Sequence, residues 1–352
     1  MKHKPHFLRH GAAADELTPP VNESSTWQST SIEQLAASVC SGDRRALAKA
    51  LSMIESTRAT DAPLQRLLLE RIYSATGKAW RIGITGSPGA GKSTLIESLG
   101  MVAIEHGHRL AVLATDPAAA TTGGSILGDR FRMTSLSSHP NAFIRPSSNR
   151  GSDTALSRRI RESILVCEAA GYDVVIVETV GAGQSDVTIA DVVDMVIVAS
   201  LPNAGDEVQG IKRGIMEYAD IVAVTKSDID RSLALRAASQ LRSALSLIRS
   251  RFRDWQARTA IVSSVTGEGV GDLWALCEQF FAPTRQLSIE QNRRQQRRRW
   301  FEEALIEALI DRVRTEAHSA HSIERIYSAI EDGTVLPPIA AIEIVHSWRT
   351  SQ

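Results

Sequence analysis

The segment GITGSPGAGKSTL, residues 83–95, constrains the fold more than any other part of this sequence. It fits the pattern G-x-x-x-x-G-K-[ST], with a β-branched run (RIGIT, 81–85) before it and an amphipathic helical pattern after it. In that context the glycines let backbone N–H groups turn inward around phosphate groups, and the following helix directs its positive end toward them. The segment therefore predicts a nucleotide phosphate loop formed by Gly86, Ser87, Pro88, Gly89, Ala90, Gly91, Lys92, Ser93 and Thr94.

Two side chains of this loop have predicted chemical roles. Lys92 is expected to contact the β and γ phosphates, and the hydroxyl of Ser93 is expected to bind Mg²⁺. The alternative is a glycine-rich turn that binds nothing, and the complete motif with both flanking elements argues against it. The loop alone does not choose the base of the nucleotide.

Short runs of β-branched residues recur along the central part of the chain. They lie at residues 81–85, 110–115, 173–178, 195–200, 221–225 and 260–263. The runs are apolar at nearly every position, which is typical of strands buried on both faces of a parallel sheet. Helical patterns lie between them, as at residues 93–107, 153–171 and 207–219. This alternation predicts an α/β fold with a doubly wound, mostly parallel sheet.

The pattern changes along the chain predict four parts. Turn-forming residues without apolar periodicity come first, then three amphipathic helices, then the α/β region, and from Ser288 a long helix followed by two shorter ones. The predicted parts are a flexible arm (1–30), an N-terminal helical unit (31–78), a phosphate-loop domain (79–286) and a C-terminal helical extension (287–352).

Charge and composition limit the classes of partner. The 40 basic and 40 acidic side chains cancel, so no global field favours nucleic acid or an anionic membrane surface. No apolar run is long enough to span a membrane, and the sequence predicts a soluble, cytoplasmic protein. A local cluster of arginines on the long C-terminal helix is expected to form a solvated face, with a partner or dimer contact as the alternative. The cluster consists of Arg293, Arg294, Arg297, Arg298 and Arg299.

The cysteines are few and far apart. Cys40, Cys167 and Cys277 suit reduced thiols in the cytosol better than a disulfide framework or a metal cluster. We expect them to act as buried, small apolar side chains.

A second motif bears on the base. The strand-end segment Thr225-Lys226-Ser227-Asp228 resembles the N-K-x-D guanine motif, whose Asp accepts two hydrogen bonds from the guanine N1–H and exocyclic amine. Thr225 stands where that motif has Asn, which usually bonds guanine N7 and neighbouring loops. Losing a neutral hydrogen bond would cost about 0.5–1.5 kcal/mol. Asp228 would keep most of the discrimination between guanine and adenine, because with adenine bound the Asp228 carboxylate would face an acceptor of the base. The segment therefore predicts guanine, with Lys226 and Asp228 as base readers.

A third segment follows in the correct order. AIVSSVTGEGVGDL resembles the loop that supplies backbone N–H groups to guanine O6, through Ser263, Ser264 and Val265. Each segment alone could be an ordinary turn at a strand end. Three segments in register are much harder to explain in that way.

Acidic residues near the strand ends are candidates for the metal and for water activation. Glu178 ends a buried strand, as does the acid that holds Mg²⁺ in phosphate-loop enzymes, and the N–H of Gly181 is expected to meet the γ phosphate. Asp116 ends another strand, and Asp129 lies in a glycine-containing loop that could order on the γ phosphate. For both, a capping or turn carboxylate is the alternative. Gln184 could orient water or simply bond within its loop.

Longer strings resemble a known family. TDPAAATTGGSILGDRFRM, CEAAGYDVVIVETVGAGQSD and AGDEVQGIKRGIMEYADIVAVTKSD are similar to the MeaB/ArgK family of P-loop GTPases, which includes the human methylmalonic aciduria type A protein. The resemblance covers roughly residues 32–350. It implies a SIMIBI-class P-loop fold that binds GTP or GDP with Mg²⁺. It also implies the phosphate loop at 86–94, metal and switch acids at Asp116, Asp129 and Glu178, and base readers at Lys226 and Asp228.

The resemblance further implies a cellular role. Members of this family act as chaperones of an adenosylcobalamin-dependent acyl-CoA mutase, gate loading of the cofactor from an adenosyltransferase and help to eject inactivated cofactor. They are typically homodimers, and residues 288–350 match the C-terminal extension that takes part in dimerisation.

Departures from the family pattern leave the client open. The chain has DPAA for DPSS, TKSD for NKAD, and Gly151–Ala155 in place of a GTLGG-like loop. A mutase other than methylmalonyl-CoA mutase, such as the isobutyryl or 2-hydroxyisobutyryl type, is therefore a serious alternative client.

Two other classes of function are alternatives. A nickel-insertion GTPase would need Cys or His clusters to carry its metal, and the sequence has no C-x-x-C or His-rich tract. A kinase must admit an acceptor hydroxyl beside the γ phosphate, and no sequence feature indicates such a pocket.

Overall fold

A parallel β-sheet lies at the centre of the protein. The computed structural model describes residues 29–116, 133–148, 153–179, 189–203, 213–315 and 317–350. The strands in these ranges are β1 (Trp80–Gly86), β2 (Leu110–Asp116), β3 (Ala142–Ser148), β4 (Val174–Glu178), β5 (Met195–Ser200), β6 (Ile221–Val224) and β7 (Arg258–Ile261). Every strand pair is parallel, and the order across the sheet is β3-β2-β4-β1-β5-β6-β7. The predicted doubly wound α/β fold is confirmed.

Helices precede, cover and follow this sheet. Those in the described ranges are α1 (Ser29–Cys40), α2 (Arg44–Ile54), α3 (Ala62–Ile72), α4 (Lys92–Glu105), α5 (Thr134–Ser138), α6 (Asp153–Ala169), α7 (Arg213–Met216), α8 (Arg231–Leu245), α9 (Val270–Phe280), α10 (Gln286–Thr315), α11 (Ala317–Glu331) and α12 (Pro337–Thr350). Short 3₁₀ turns lie at Ala59–Asp61, Tyr73–Ala75, Ile189–Asp191 and Pro283–Arg285. None of the described helices combines the length and apolar character of a membrane span.

One strand was not among the predicted runs. β3 has the sequence AFIRPSS and lies at the edge of the sheet, where it pairs with β2 alone. Pro146 within it cannot donate to a ladder hydrogen bond, which is why proline is confined to edge strands. The same proline weakens the β-branched pattern by which the other six strands were recognised.

The sheet is buried on both faces, as its apolar runs predict. On one face, α1–α3 and α6 share a core with side chains of β2, β4 and β5. On the other face, α4 and α9 pack over β1 and its neighbours, and the rings of Trp80 and Phe281 stack with centroids 4.6 Å apart. The helical unit before the phosphate loop is thus packed directly onto the sheet domain.

The first half of α10 is also part of this core. Ile289 is buried, and the Arg293 guanidinium donates to both carboxylate oxygens of Asp194, at 2.7 and 2.6 Å, and to the carbonyls of Gly77 and Ala79. The expectation that the arginine cluster is wholly solvated is therefore wrong at Arg293, because this side chain joins the helix to the residue before β5. The other four arginines of the cluster are exposed.

The cysteine prediction needs a similar correction. Cys167 and Cys277 are buried, as expected, but Cys40 is exposed. Cys40 is the last residue of α1 and follows the buried Val39, so it lies off the helical stripe that faces the core.

Candidate functional site

The predicted phosphate loop lies between β1, the central strand, and the first turn of α4. Gly86, Gly89 and Gly91 all have positive φ angles, of 143°, 79° and 79°. A Cβ on Gly86 would lie 2.1 Å from the carbonyl oxygen of Ala199 in β5, so a larger residue has no space there. Glycine is thus required both by the turn and by the close approach of the neighbouring strand.

Lys92 is the first residue of α4, and its side chain folds back over the loop. Its Nζ donates to the carbonyl oxygens of Gly86, at 2.9 Å, and Ser87, at 3.2 Å. The residue is only 8% exposed. The ammonium group is therefore held at the mouth of the loop, beside the positive end of α4, where an anionic phosphate would be attracted by both.

Ser93 and Glu178 meet although 85 residues separate them. The Ser93 hydroxyl donates to Glu178 Oε1 at 2.9 Å, which places the end of β4 beside the start of α4. Because the hydroxyl donates its single proton to the carboxylate, its lone pairs stay available to a cation. A hydroxyl and a carboxylate are hard oxygen ligands of the kind that Mg²⁺ takes together with water and phosphate. The residues present therefore fit the predicted magnesium ion.

The remaining acids and switch residues are only partly described. Asp116 is the last residue of β2, which lies directly beside β4, so its backbone ends at the same edge of the sheet as Glu178. Asp129, Gly181 and Gln184 lie outside the described residues. Their predicted roles stay predictions.

The base-reading segment is tied to the phosphate loop. Thr225 follows β6, and its hydroxyl donates to the carbonyl oxygen of Ala90 at 2.7 Å. Lys226 has a φ of 54°, which is the one positive value among the described non-glycine residues. Its Cε lies 3.9 Å from the position that a Cβ on Gly91 would take, so its stem runs along the phosphate loop.

The third predicted segment lies beside Asp228. The hydroxyl of Ser263 donates to Asp228 Oδ1 at 2.6 Å, and the backbone N–H of Ser227 donates to the carbonyl of Val262 at 3.2 Å. Asp228 is exposed, Ser264 is half-buried, and Val265 is 80% exposed. The carboxylate is thus oriented by one serine and still open to a ligand.

Two of these side-chain roles were not anticipated. From sequence, Thr225 is a lost contact and Ser263 donates its backbone N–H to guanine. In the structure that N–H donates to the carbonyl of Glu268 at 2.9 Å, so this prediction for Ser263 is wrong. The signal for both is position: Thr225 directly follows the buried strand β6, and Ser263 comes two residues after β7, at the edge where parallel strands place their ligand-binding residues. The partner of each hydroxyl could not be inferred from spacing.

A site for metal cargo finds no support in the described ranges. Those ranges contain no group of three or more His, Cys, Asp or Glu side chains that could hold a metal ion. The nickel-insertion alternative therefore gains nothing from the described residues.

Known proteins resemble this chain over most of its length. A family model described as methylmalonyl Co-A mutase-associated GTPase MeaB matches residues 47–318. The methylmalonic aciduria type A homologue of Mus musculus, a mitochondrial protein, is 37% identical over 91% of this chain and 80% of its own length. The GTPase ArgK of Escherichia coli is 38% identical over 84% of this chain and 90% of its own.

A solved structure also resembles this chain. The crystal structure of a LAO/AO transport system kinase is 31% identical, with a TM-score of 0.70, and the match covers 92% of this chain and all of that one. The family match, the curated relatives and the shared fold all concern the part of the chain that carries the phosphate loop and the base-reading segment. The chain belongs to the MeaB family of P-loop GTPases.

Proposed function

We propose that this protein is a GTP-hydrolysing chaperone of an adenosylcobalamin-dependent acyl-CoA mutase. In this role it gates loading of the cofactor from a cobalamin adenosyltransferase, and it protects or reactivates the mutase. The client is methylmalonyl-CoA mutase or a relative such as the isobutyryl or 2-hydroxyisobutyryl enzyme. GTP and GDP, with Mg²⁺, are the ligands that switch it, and its place of action is the cytoplasm.

The observation that carries this proposal is the meeting of four distant segments at one edge of the sheet. The phosphate loop contacts Glu178 through Ser93, it contacts the base-reading segment through Thr225, and that segment contacts Ser263 through Asp228. A change at the γ phosphate would therefore lie within one or two contacts of the base and of the strand-end acid. The mutase as client is supported by the family description.

We assign the following roles within this proposal. Lys92 neutralises charge on the β and γ phosphates, Ser93 and Glu178 hold Mg²⁺, directly and through water, and Asp228 reads the Watson–Crick edge of guanine. Mg²⁺, when bound, offsets the charge that develops on the phosphates. Asp116 and Asp129 complete the metal and switch acids, and Gln184 orients the attacking water. The backbone N–H group of Gly181 contacts the γ phosphate, and those of Ser264 and Val265 contact guanine O6, because the N–H of Ser263 already donates to the carbonyl of Glu268 at 2.9 Å.

The C-terminal helices are proposed to form a homodimer contact. An apolar cleft of about 400 Å³ lies between α10, α11 and α12, with Leu309, Ile326 and Val345 among its lining residues. Large apolar side chains on or beside these three helices are 43–61% exposed. Leu309, Ile310, Tyr327 and Val345 line the cleft, and the others are Leu305, Ile306, Leu336, Ile339 and Ile342. Apolar surface of this kind is typical of a face that another protein covers. Residues 287–352 would then be the dimerisation extension of the GTPase domain (79–286).

The test is GTP turnover with and without candidate mutases. We expect slow hydrolysis by the protein alone and a severalfold or greater increase with the cognate mutase, because the sequence assigns no arginine of its own to the transition state. Hydrolysis of ATP at a similar rate, or no response to any of the three mutases, would contradict the proposal.

Lys92→Ala provides the control for that experiment. Removal of the ammonium group should abolish nucleotide binding in calorimetry while the circular dichroism spectrum stays that of the wild type. If the variant bound GDP normally, the loop assigned here would not be the nucleotide site.

A further inference from the structure

Thr225 makes one hydrogen bond that its backbone does not already provide. The residue is 2% exposed, and its hydroxyl lies 2.7 Å from the carbonyl oxygen of Ala90 and 3.2 Å from that of Ser200. The backbone N–H of Thr225 already donates to Ser200 at 2.9 Å, as a continuation of the β5–β6 ladder. The shorter contact to Ala90, 135 residues away in sequence, is therefore the specific contribution of the side chain.

This contact uses the only proton that the side chain can donate. A threonine hydroxyl has one O–H donor, whereas the asparagine of the N-K-x-D motif has two N–H donors and can serve a loop and a base together. Guanine N7 is an acceptor, so a contact to it requires a donor. Because the Thr225 proton is directed to the phosphate loop, the side chain has no donor left for N7.

Base selection does not depend on that missing contact. Adenine also presents N7 as an acceptor, so a donor to N7 stabilises both purines and does not distinguish guanine from adenine. The discriminating groups of guanine are N1–H and the exocyclic amine, and the carboxylate of Asp228, held by Ser263, is the acceptor suited to them. Lys226, the next residue, has a positive φ and lies along Gly91.

We propose that Thr225 is a positioning residue that fastens the base-reading segment to the phosphate loop, and that guanine nucleotides bind without a hydrogen bond from this side chain to purine N7. The proposal rests on the nucleotide site assigned above. It differs from that assignment in predicting which atoms of the base are not read.

The experiment compares GDP with 7-deaza-GDP, in which C–H replaces N7, by calorimetry on the full-length protein with Mg²⁺. The two dissociation constants should agree within twofold, since a neutral hydrogen bond lost would weaken binding by roughly two- to tenfold. A loss of more than twofold with 7-deaza-GDP would overturn the proposal while leaving the nucleotide site intact. If neither compound bound, the site assignment itself would fail.

Two substitutions separate the tether from the base contact. Thr225→Val deletes the hydroxyl and keeps the shape, so it should weaken the binding of GDP and of 7-deaza-GDP by the same factor. The ratio of the two dissociation constants should then stay near one. Thr225→Ser, which keeps a hydroxyl, should restore binding. Thr225→Asn adds a second donor and should bind GDP more tightly than 7-deaza-GDP. Wild-type affinity of Thr225→Val for both ligands would overturn the positioning role. The wild-type comparison stands even if a variant folds poorly.

Discussion

At the residue scale, the site depends on three serine or threonine hydroxyls that each join two distant segments. Ser93 contacts Glu178, Thr225 contacts Ala90 and Ser263 contacts Asp228, across 85, 135 and 35 residues of sequence. Each hydroxyl donates one proton and so fixes one partner. A hydrogen bond to a carboxylate is worth more than one to a carbonyl, about 1.5–3 against 0.5–1.5 kcal/mol. The contacts of Ser93 and Ser263 are therefore the stronger two, and they hold the groups proposed to bind the metal and the base.

The thiols offer a residue-scale prediction that is independent of nucleotide. Burial raises the pKa of the Cys167 and Cys277 thiols far above the ordinary value, whereas Cys40 is exposed. Since the thiolate is the reactive form, we expect a disulfide reagent such as DTNB to label one thiol rapidly in the native protein at pH 8. The absorbance of the released thiolate, followed with time, gives the number.

The matched controls for this prediction are simple. Cys40→Ser should remove the rapid phase, and guanidinium chloride should expose all three thiols of the wild-type chain. Rapid labelling of two or three thiols in native protein would show that the buried positions open readily.

At the element scale, α10 does two things along its 30 residues. Its first half carries Arg293 and Gln296, whose side chains donate to the residues around the start of β5. Its second half carries exposed apolar residues such as Leu305 and Leu309. The anchored half therefore sets the direction in which the apolar half leaves the sheet domain.

The anchor can be tested with two adjacent arginines. Burial disfavours the charge of Arg293, but the hydrogen bonds and charge of Asp194 outweigh it and raise the pKa of the guanidinium above its ordinary value. Arg293→Ala would leave a buried carboxylate without its partner, which typically costs about 3–5 kcal/mol. The side chain of Arg294 is 69% exposed, and its Nε lies 3.6 Å from Glu290 Oε1. Arg294→Ala should therefore lower the free energy of unfolding by less than about 1 kcal/mol. Urea unfolding of both variants measures the difference. Equal, small effects would mean that α10 is not anchored through Arg293.

At the scale of the whole molecule, the sequence predicts the sheet domain better than the contacts within its site. Five of the seven strands are largely apolar, so pattern alone identifies them. The apolar run at 260–263 overlaps only the last two residues of β7 (RTAI), and β3 is hidden by Pro146 at an edge. The predicted phosphate loop is local in sequence, and the structure has the expected strand-to-helix turn at that place. The tether from Thr225 to Ala90 and the burial of Arg293 depend on how distant elements pack, and no spacing within one segment encodes either contact.

Assembly gives the prediction that belongs to the whole molecule. If the cleft between α10, α11 and α12 is covered by a second copy, light scattering after size exclusion should give twice the 38.2 kDa mass of one chain. A charged side chain in that apolar face would be buried away from water in the dimer, which is costly. Leu309→Asp combined with Val345→Asp should therefore give monomers. Calorimetry should show unchanged GDP binding by this variant, since neither residue contacts the phosphate loop or the base-reading segment. Arg298→Asp, an exposed change of charge on the same helix, serves as the matched control and should remain dimeric. A wild-type protein that is monomeric at micromolar concentration, or a double variant that stays dimeric, would show that the apolar face has another use.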